Sequence, residues 1–430
     1  AYTMREKKVI KLGIIGLGCR ADSLIKKVFM PMLEEDSPDI EIAAVCDLYE
    51  DRIEKVCVRI NEKTGKRPFG TTDWKEITDS PEVDAVIILS AWESHTDIAV
   101  RAMRRGKYTG LDVGGAYSVE DCWALVRAYE ESGTPFMFLE NCCYGRREMM
   151  IYNMVAEGLL GEVVACEGGY SHDLRNEVAF GKENRHYRLR NYLMRNCENY
   201  PTHELGPIAK LLKINDGNRM MTLTSTASAA KGLHKYIEKN NSDDRALAGA
   251  QIRQGDIITT VITCAGGETI TLQLNTTLPT FYNRRFSVYA TGGCYFEMND
   301  SVFLDRKEDA ELEFDWNREW GNAEKYAEKY DHPLWKSFLS DIRGDHGGMD
   351  WLVIKAFIET VKNGTEAPID VYDAASWMAV TALSEESIIL GGRPVAIPDF
   401  TRSKWMNRKR GKPNRFSLFT VCDEQETPLY

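Results

Sequence analysis

Apolar residues in the first third of the chain come in short blocks, and helical spacing separates one block from the next. VIKLGIIGLG (9–18), IEIAAVCD (40–47), VDAVIILS (83–90), YTGLDV (108–113) and PFMFLE (135–140) read as strands. AWESHTDIAVRAMRRG (91–106) and VEDCWALVRAYEESG (119–133) carry their apolar residues on one helical face. Regular strand–helix alternation over roughly 140 residues predicts a doubly wound parallel sheet with helices on both faces. LENCCYGRREMMIYNMVAEGLLG (139–161) predicts a helix leading out of this unit.

Beyond it the pattern changes. VVACEGGYSHDL (163–174), MTLTSTAS (221–228), DIITTVITCA (256–265), ETITLQLNTT (268–277), RFSVYAT (285–291) and GCYFEM (293–298) are β-branched or alternating runs joined by glycine-bearing turns. They predict a large, open, mainly antiparallel sheet, with one face left for a second copy of the chain. Helical spacing returns at 351–364 and 371–387, and 234–249 reads as a mobile loop. The expected organisation is α/β: a nucleotide-binding domain over 1–142, then an α+β substrate domain over 143–430 whose last helices can pack back on the first.

The turn after the first strand gives that first domain its chemistry. Gly16-Leu17-Gly18-Cys19-Arg20-Ala21 fits G-x-G-x-x-G/A, the turn that brings backbone amides and a helix N-terminus to a pyrophosphate in Rossmann domains. Asp47 ends the second strand, where an acid accepts hydrogen bonds from a ribose, which favours NAD over NADP. Trp92, His95, Asp112 and Asn141 fall at the carboxyl ends of later strands, where such sheets bind ligands.

A net charge of −11 removes nucleic acid from the partners considered. The short basic run at 402–415 reads as a counterweight to the acidic stretch 306–320, or as a solvated face. Eleven cysteines without metal-like spacing predict free thiols, no metal centre and a reducing, cytoplasmic setting; a periplasmic one follows if a leader has been removed. No apolar stretch approaches the ~20 residues of a membrane span.

NYPTHELGP (199–207) gathers the best acid–base candidates. Pro201 fixes the entry to a helix that Thr202 is placed to cap, and that start aims Tyr200 and His203. Histidine, with an ordinary pKa of about 6.5, suits proton transfer at neutral pH. No motif supplies the two carboxylates of ordinary glycoside hydrolysis. His346 reads as part of a turn before a helix at 349, and His172 as a residue behind the site.

The chain resembles the Gfo/Idh/MocA oxidoreductases, and within them the NAD-dependent glycosidases of glycoside hydrolase family 109. The resemblance rests on GLGCRADSL, AWESH, LENCCYGR, GEVVACEGGYSHDLR, HYRLRN, NYPTHELGP and HGGMDW, which run nearly the length of the chain. The catalytic Glu-Lys-Pro of ordinary sugar dehydrogenases is Asp112-Val113-Gly114 here, and their Asp four residues before the histidine is Asn199. The resemblance implies cofactor contacts at Gly16, Gly18, Cys19, Arg20, Asp47, Trp92, His95, Asp112, Val113 and Asn141. It implies sugar contacts at Tyr170, Arg188, Tyr200, Pro201, Thr202, His203 and Tyr282. Two positions depart from the branch: Asp112 stands for a glutamate, and Glu204 for a glycine, which puts the particular sugar in question.

The implied activity is hydrolysis of an N-acetylhexosaminide, in the manner of an α-N-acetylgalactosaminidase. Tightly held NAD oxidises C3, the leaving group departs C1 by elimination, water adds, and C3 is reduced again. The alternative is a glycoside 3-dehydrogenase that releases a 3-keto sugar. His203, Tyr200 and Tyr282 are the expected acid–base groups, with Arg188 expected to activate a tyrosine. Glu140 is placed to orient cofactor or sugar.

Overall fold

The computed structural model describes residues 9–305 and 320–422. Six parallel strands form the first sheet: β1 Ile10–Ile15, β2 Ile40–Cys46, β3 Phe69–Thr71, β4 Ala85–Ile88, β5 Tyr108–Leu111 and β6 Phe136–Phe138. Their order is β3-β2-β1-β4-β5-β6, so the chain reverses direction across the sheet between β1 and β4. β4 and β5 are buried at every position, as expected of strands covered on both faces. β3 has no counterpart among the expected strands because it is three residues long and mostly exposed.

The second sheet has eight strands: β7 Val163–Ser171, β8 Met220–Ala227, β9 Ile257–Cys264, β10 Thr269–Asn275, β11 Ser287–Ala290, β12 Gly293–Phe296, β13 Ser301–Leu304 and β14 Val395–Ala396. Only β7 and β10 run parallel; the other pairs are antiparallel. β9 and β10 alternate buried and accessible side chains. One face therefore packs on the helices Thr202–Leu211 and Val371–Ile389, while Met221, Val261, Tyr289 and Phe303 remain exposed.

One expectation needs correction. The stretch 234–249 is not a loop: it holds the helices Gly232–Asn240 and Arg245–Ala248. Leu233 and Ile237, four residues apart, are buried and anchor the first of these against a strongly charged background. The basic run at 402–415 meets acids elsewhere in the chain, while its expected counterweight, 306–320, lies for the most part outside the described residues. Lys404 Nζ is 3.0 Å from Glu130, and Arg410 binds Asp216, Glu366 and Asp370 at 3.0, 2.9 and 3.1 Å. Arg408 pairs with Asp370, and Arg415 with Glu359.

Candidate active site

The carboxyl edge of the first sheet is shaped for a dinucleotide. Gly16 has φ +96°, and a Cβ there would come within 2.5 Å of the Leu89 carbonyl carbon and the Ser90 amide nitrogen. Only glycine fits that turn. A Cβ at Gly18 would meet nothing nearer than Arg52 at 3.7 Å, so the backbone there stays open to approach. Asp47 accepts from the amides of Leu17 (2.7 Å) and Tyr49 (3.1 Å), so its carboxylate braces the glycine turn. The other expected cofactor contacts lie on the same edge. Cys19 is exposed at the helix start, and Trp92, His95, Asp112, Val113 and Asn141 are buried.

Burial shifts two of these residues. His95 Nε2 lies 2.9 Å from the Ser90 carbonyl, and burial pushes this histidine down to about 4, which keeps it neutral. Burial pushes Asp112 up to about 6, although the Arg20 charge works the other way. Buried Trp92 Nε1 and Asp112 Oδ1 have no hydrogen-bond partner among the described residues, and such atoms call for a polar ligand or water. Gly114 is where a proline or any larger residue fails, since its Cβ would stand 2.6 Å from the Trp92 ring. The lost lysine motif and the inward Trp92 are thus linked by space.

Beside this edge, all five residues expected to recognise sugar through their rings or charge come together. Tyr170 and Tyr200 have ring centroids 4.6 Å apart, and His203 stands 4.7 Å from Tyr200 and 5.3 Å from Tyr170. Tyr282 lies 6.2 Å from Tyr170. The Arg188 guanidinium sits 4.9 Å above Tyr200 and 5.1 Å above Trp92. Arg188 is buried, only 7% exposed, so it is no solvated surface charge.

The helix Thr202–Leu211 brings His203 to Glu140. Pro201 occupies the N-cap position, and Thr202 does not cap the helix. Instead Thr202 Oγ1 donates to Glu140 Oε2 at 2.7 Å, and His203 Nδ1 meets Glu140 Oε1 at 2.8 Å. Glu140 Oε1 also accepts from the Cys142 amide at 3.1 Å. Gly206 permits this approach, for a Cβ there would stand 2.9 Å from Cys143 Sγ and 3.0 Å from Glu140 Cγ. Burial alone would raise the Glu140 carboxyl, but His203 and the hydrogen-bond donors hold it below its ordinary value. In the tautomer whose Nδ1 donates to the carboxylate, Nε2 is left as an acceptor.

The tyrosines do not behave as expected. Burial pushes Tyr170, Tyr200 and Tyr282 above the ordinary phenol, and the charges of Arg188 beside Tyr170 and Tyr200, and of Arg284 beside Tyr282, only offset part of that rise. All three are hydroxyl donors at neutral pH. His172, placed behind the site from the sequence, comes into it: its Nδ1 is 2.6 Å from Tyr170 Oη, and its ring is 5.2 Å from Tyr282. Burial and Arg188 lower His172, which favours the neutral form that can accept the Tyr170 proton. Its place two residues after Tyr170, within the run VVACEGGYSHDL that reads as a strand, was the signal available in the sequence.

Glu204 turns away from the sugar cluster. It is fully buried, with Cβ and Cγ 2.8 Å from where a Gly168 Cβ would stand, and Oε2 accepts from Arg284 Nε at 3.0 Å. Arg284 also pairs with Glu148. The departure from glycine therefore adds an acid behind the site, and Gly168 supplies the space.

Family comparison agrees with this arrangement. Residues 10–139 match the oxidoreductase family with an NAD-binding Rossmann fold, and 144–407 match the C-terminal domain of glycosyl hydrolase 109. The chain belongs to glycosyl hydrolase family 109. A family 109 protein of Stenotrophomonas maltophilia is 35% identical over 94% of this chain and 92% of its own length. An enzyme of Tannerella forsythia named alpha-N-acetylgalactosaminidase is 34% identical, covering 93% and 88%. Among solved structures, an NAD-binding oxidoreductase of Klebsiella pneumoniae aligns with a TM-score of 0.68 at 14% identity, over 91% of this chain and all of that one. Levoglucosan dehydrogenase with NADH and levoglucosan gives 0.64 at 17%, over 90% and 99%. These last two likenesses are of fold. This family 109 chain is an NAD-dependent glycosidase or sugar oxidoreductase, and among its described residues no helix is long and apolar enough to cross a membrane.

Proposed function

We propose that this protein hydrolyses α-N-acetylgalactosaminides by transient oxidation at C3 of the sugar, with NAD retained between turnovers. The observation that carries this is the His203–Glu140 pair, set among Tyr170, Tyr200, Tyr282 and Arg188 beside the dinucleotide edge. Glu140 is already bonded to His203, Thr202 and the Cys142 amide, so it is poorly suited to the paired-carboxylate route. Bound NAD would supply a hydride acceptor and donor at the sugar C3. Gly16, Gly18 and the following helix would hold its pyrophosphate, with Asp47, Trp92, His95, Asp112, Val113 and Asn141 around it.

The side chains provide the proton transfers. His203 Nε2 takes the O3 proton, and Glu140 steadies the imidazolium that results. A C3 carbonyl acidifies the C2 proton, which passes to the Tyr170–His172 pair: His172 takes the phenolic proton while the Tyr170 oxygen takes the one from C2. The C2–H electrons form the C1–C2 double bond, and the C1–O bond breaks with its pair leaving on the aglycone oxygen. Tyr282, a neutral donor at the same cluster, protonates that oxygen. Water then adds at C1 and the proton transfers run in reverse. The 34% identical enzyme of Tannerella forsythia supports this choice of sugar. Pairing through the exposed face of the second sheet completes the reading as a homo-oligomer.

The test is purified protein, without added NAD, given an aryl α-N-acetylgalactosaminide in D2O. Catalytic aglycone release with deuterium at C2 of the product supports the reading. Stoichiometric NADH with an intact 3-keto glycoside replaces it with a 3-dehydrogenase. Release without deuterium excludes elimination.

A further inference from the structure

The HGGMDW segment (346–351) does not join the sugar cluster. His346, Gly347 and Gly348 have φ of 51°, 64° and 98°, three successive left-handed residues that swing the chain into the helix Met349–Asn363. The turn delivers Asp350, in the first turn of that helix, to the back of the nucleotide edge. Its carboxylate is fully buried and takes four hydrogen bonds. Arg20 Nη1 donates to Oδ2 at 2.7 Å and Nη2 to Oδ1 at 2.8 Å. Asn141 Nδ2 donates to Oδ1 at 2.8 Å, and His346 Nδ1 lies 2.7 Å from Oδ2.

A carboxylate offers about four lone-pair sites, so Asp350 has none left for a ligand. What it does is fix two other side chains. Arg20 sits in the first turn of the helix after Gly18, where a cation opposes the helix dipole and a long side chain is free to wander. The bidentate pair with Asp350 offsets both, holding the guanidinium plane in one orientation with Nε 3.9 Å from Asp112. Asn141, in turn, can present its amide oxygen in only one direction once its nitrogen is committed. Arg20 and Asn141 belong to the expected cofactor set, and they come from opposite ends of the first domain.

We infer that Asp350 is a cofactor-positioning residue, which acts through Arg20 and Asn141 and sets how long NAD stays bound. The inference rests on the NAD reading above. A second acid of the same turn provides the contrast: Asp345 accepts from Ser23 Oγ at 2.9 Å and Lys27 Nζ at 2.7 Å, gripping the same helical stretch without touching Arg20.

The experiment is NAD retention, measured as NAD released on heating purified protein and as the NADH dissociation rate followed by its fluorescence. Asp350→Asn is expected to release NADH about tenfold to a hundredfold faster, the worth of a charge-assisted hydrogen bond, while Asp345→Asn keeps the native rate. Arg20→Gln added to Asp350→Asn is expected to cause little further loss. Native retention in Asp350→Asn, equal loss in Asp345→Asn, or fully additive losses each overturn the inference. Should Asp350→Asn not fold, His346→Gly removes one of the four donors and suits the left-handed turn; it should still speed release severalfold, and an unchanged rate overturns the proposal. Wild-type protein that binds no NAD sinks the cofactor reading, and this inference with it. Wild-type protein that retains NAD beside an equally retentive Asp350→Asn sinks this inference alone.

Discussion

Glu140 Oε1 and His203 Nδ1 lie 2.8 Å apart, and the same carboxylate accepts from Thr202 on the adjoining position of the helix. Two neighbouring residues of one helix start are thus pinned by one buried acid. The geometry leaves a single histidine nitrogen to face substrate. Glu140→Gln keeps the shape but removes the charge that steadies an imidazolium. We expect kcat for aryl glycoside hydrolysis to fall by about 10²- to 10⁴-fold with KM little changed, because the lost interaction acts on proton transfer and not on ground-state binding. Steady-state kinetics with NAD content measured in parallel checks this; a rise in KM with kcat unchanged would remove Glu140 from the chemistry.

Much of this was legible in the sequence, for identifiable reasons. The glycine turn is legible because Gly16 needs a positive φ that no other residue adopts freely, and the strands because β4 and β5 are unbroken apolar runs. The sugar cluster was recoverable residue by residue only through the resemblance, since Tyr170, Arg188, Tyr200 and Tyr282 share no periodicity. What stayed hidden depends on long-range contact. Thr202 reads as a cap, but Glu140, 62 positions earlier, claims its hydroxyl. Nothing in the charge-rich RHYRLRN shows that packing against Trp92 and Tyr200 buries Arg188. Asp350 gives no sign in its own neighbourhood that Arg20, 330 positions away, is its partner.

Tyr170 Oη and His172 Nδ1, 2.6 Å apart, predict a separable effect on the C2 proton. Tyr170→Phe removes the hydroxyl that passes that proton on. Deuterium exchange at C2 and aglycone release should both fall by roughly 10²-fold or more, while a first-turnover NADH transient persists. Rapid-mixing absorbance and product mass spectrometry separate the two. Loss of the NADH transient together with the exchange would place Tyr170 at C3 chemistry instead.

Glu204 is a buried acid held well above its ordinary carboxyl value, by burial first and by nearby Glu148, with Arg284 opposing. Glu204→Gln keeps a side-chain oxygen able to accept from Arg284 Nε, so it should cost less stability than removal of the Glu148 charge and leave KM unchanged. Glu148, paired with Arg284 and 5% exposed, behaves differently. Glu148→Gln leaves a buried guanidinium short of its counter-charge, and a loss of about 3–5 kcal/mol is expected. Denaturant titration of both variants decides it. A large KM change in Glu204→Gln would return this residue to the substrate pocket.

Glu198, two residues before Tyr200, should impose a pH dependence on folding. It is 1% exposed, Oε1 accepts from the Tyr200 amide at 3.3 Å, and Oε2 has no hydrogen-bond partner among the described residues. Burial raises it from 4.5 to about 8, with the Tyr200 amide opposing. The folded state then keeps a proton that the unfolded chain gives up above its own pKa. The contribution to stability is fully present below 4.5 and is lost as pH rises through about 8. The loss runs at roughly 1.4 kcal/mol per pH unit across that window. Glu198→Gln cannot ionise and should be the more stable protein at about pH 8, with the difference shrinking toward about pH 5. Urea midpoints of both proteins across that range test the sign, and a wild-type advantage that grows with pH would show Glu198 to be charged and paired in the fold.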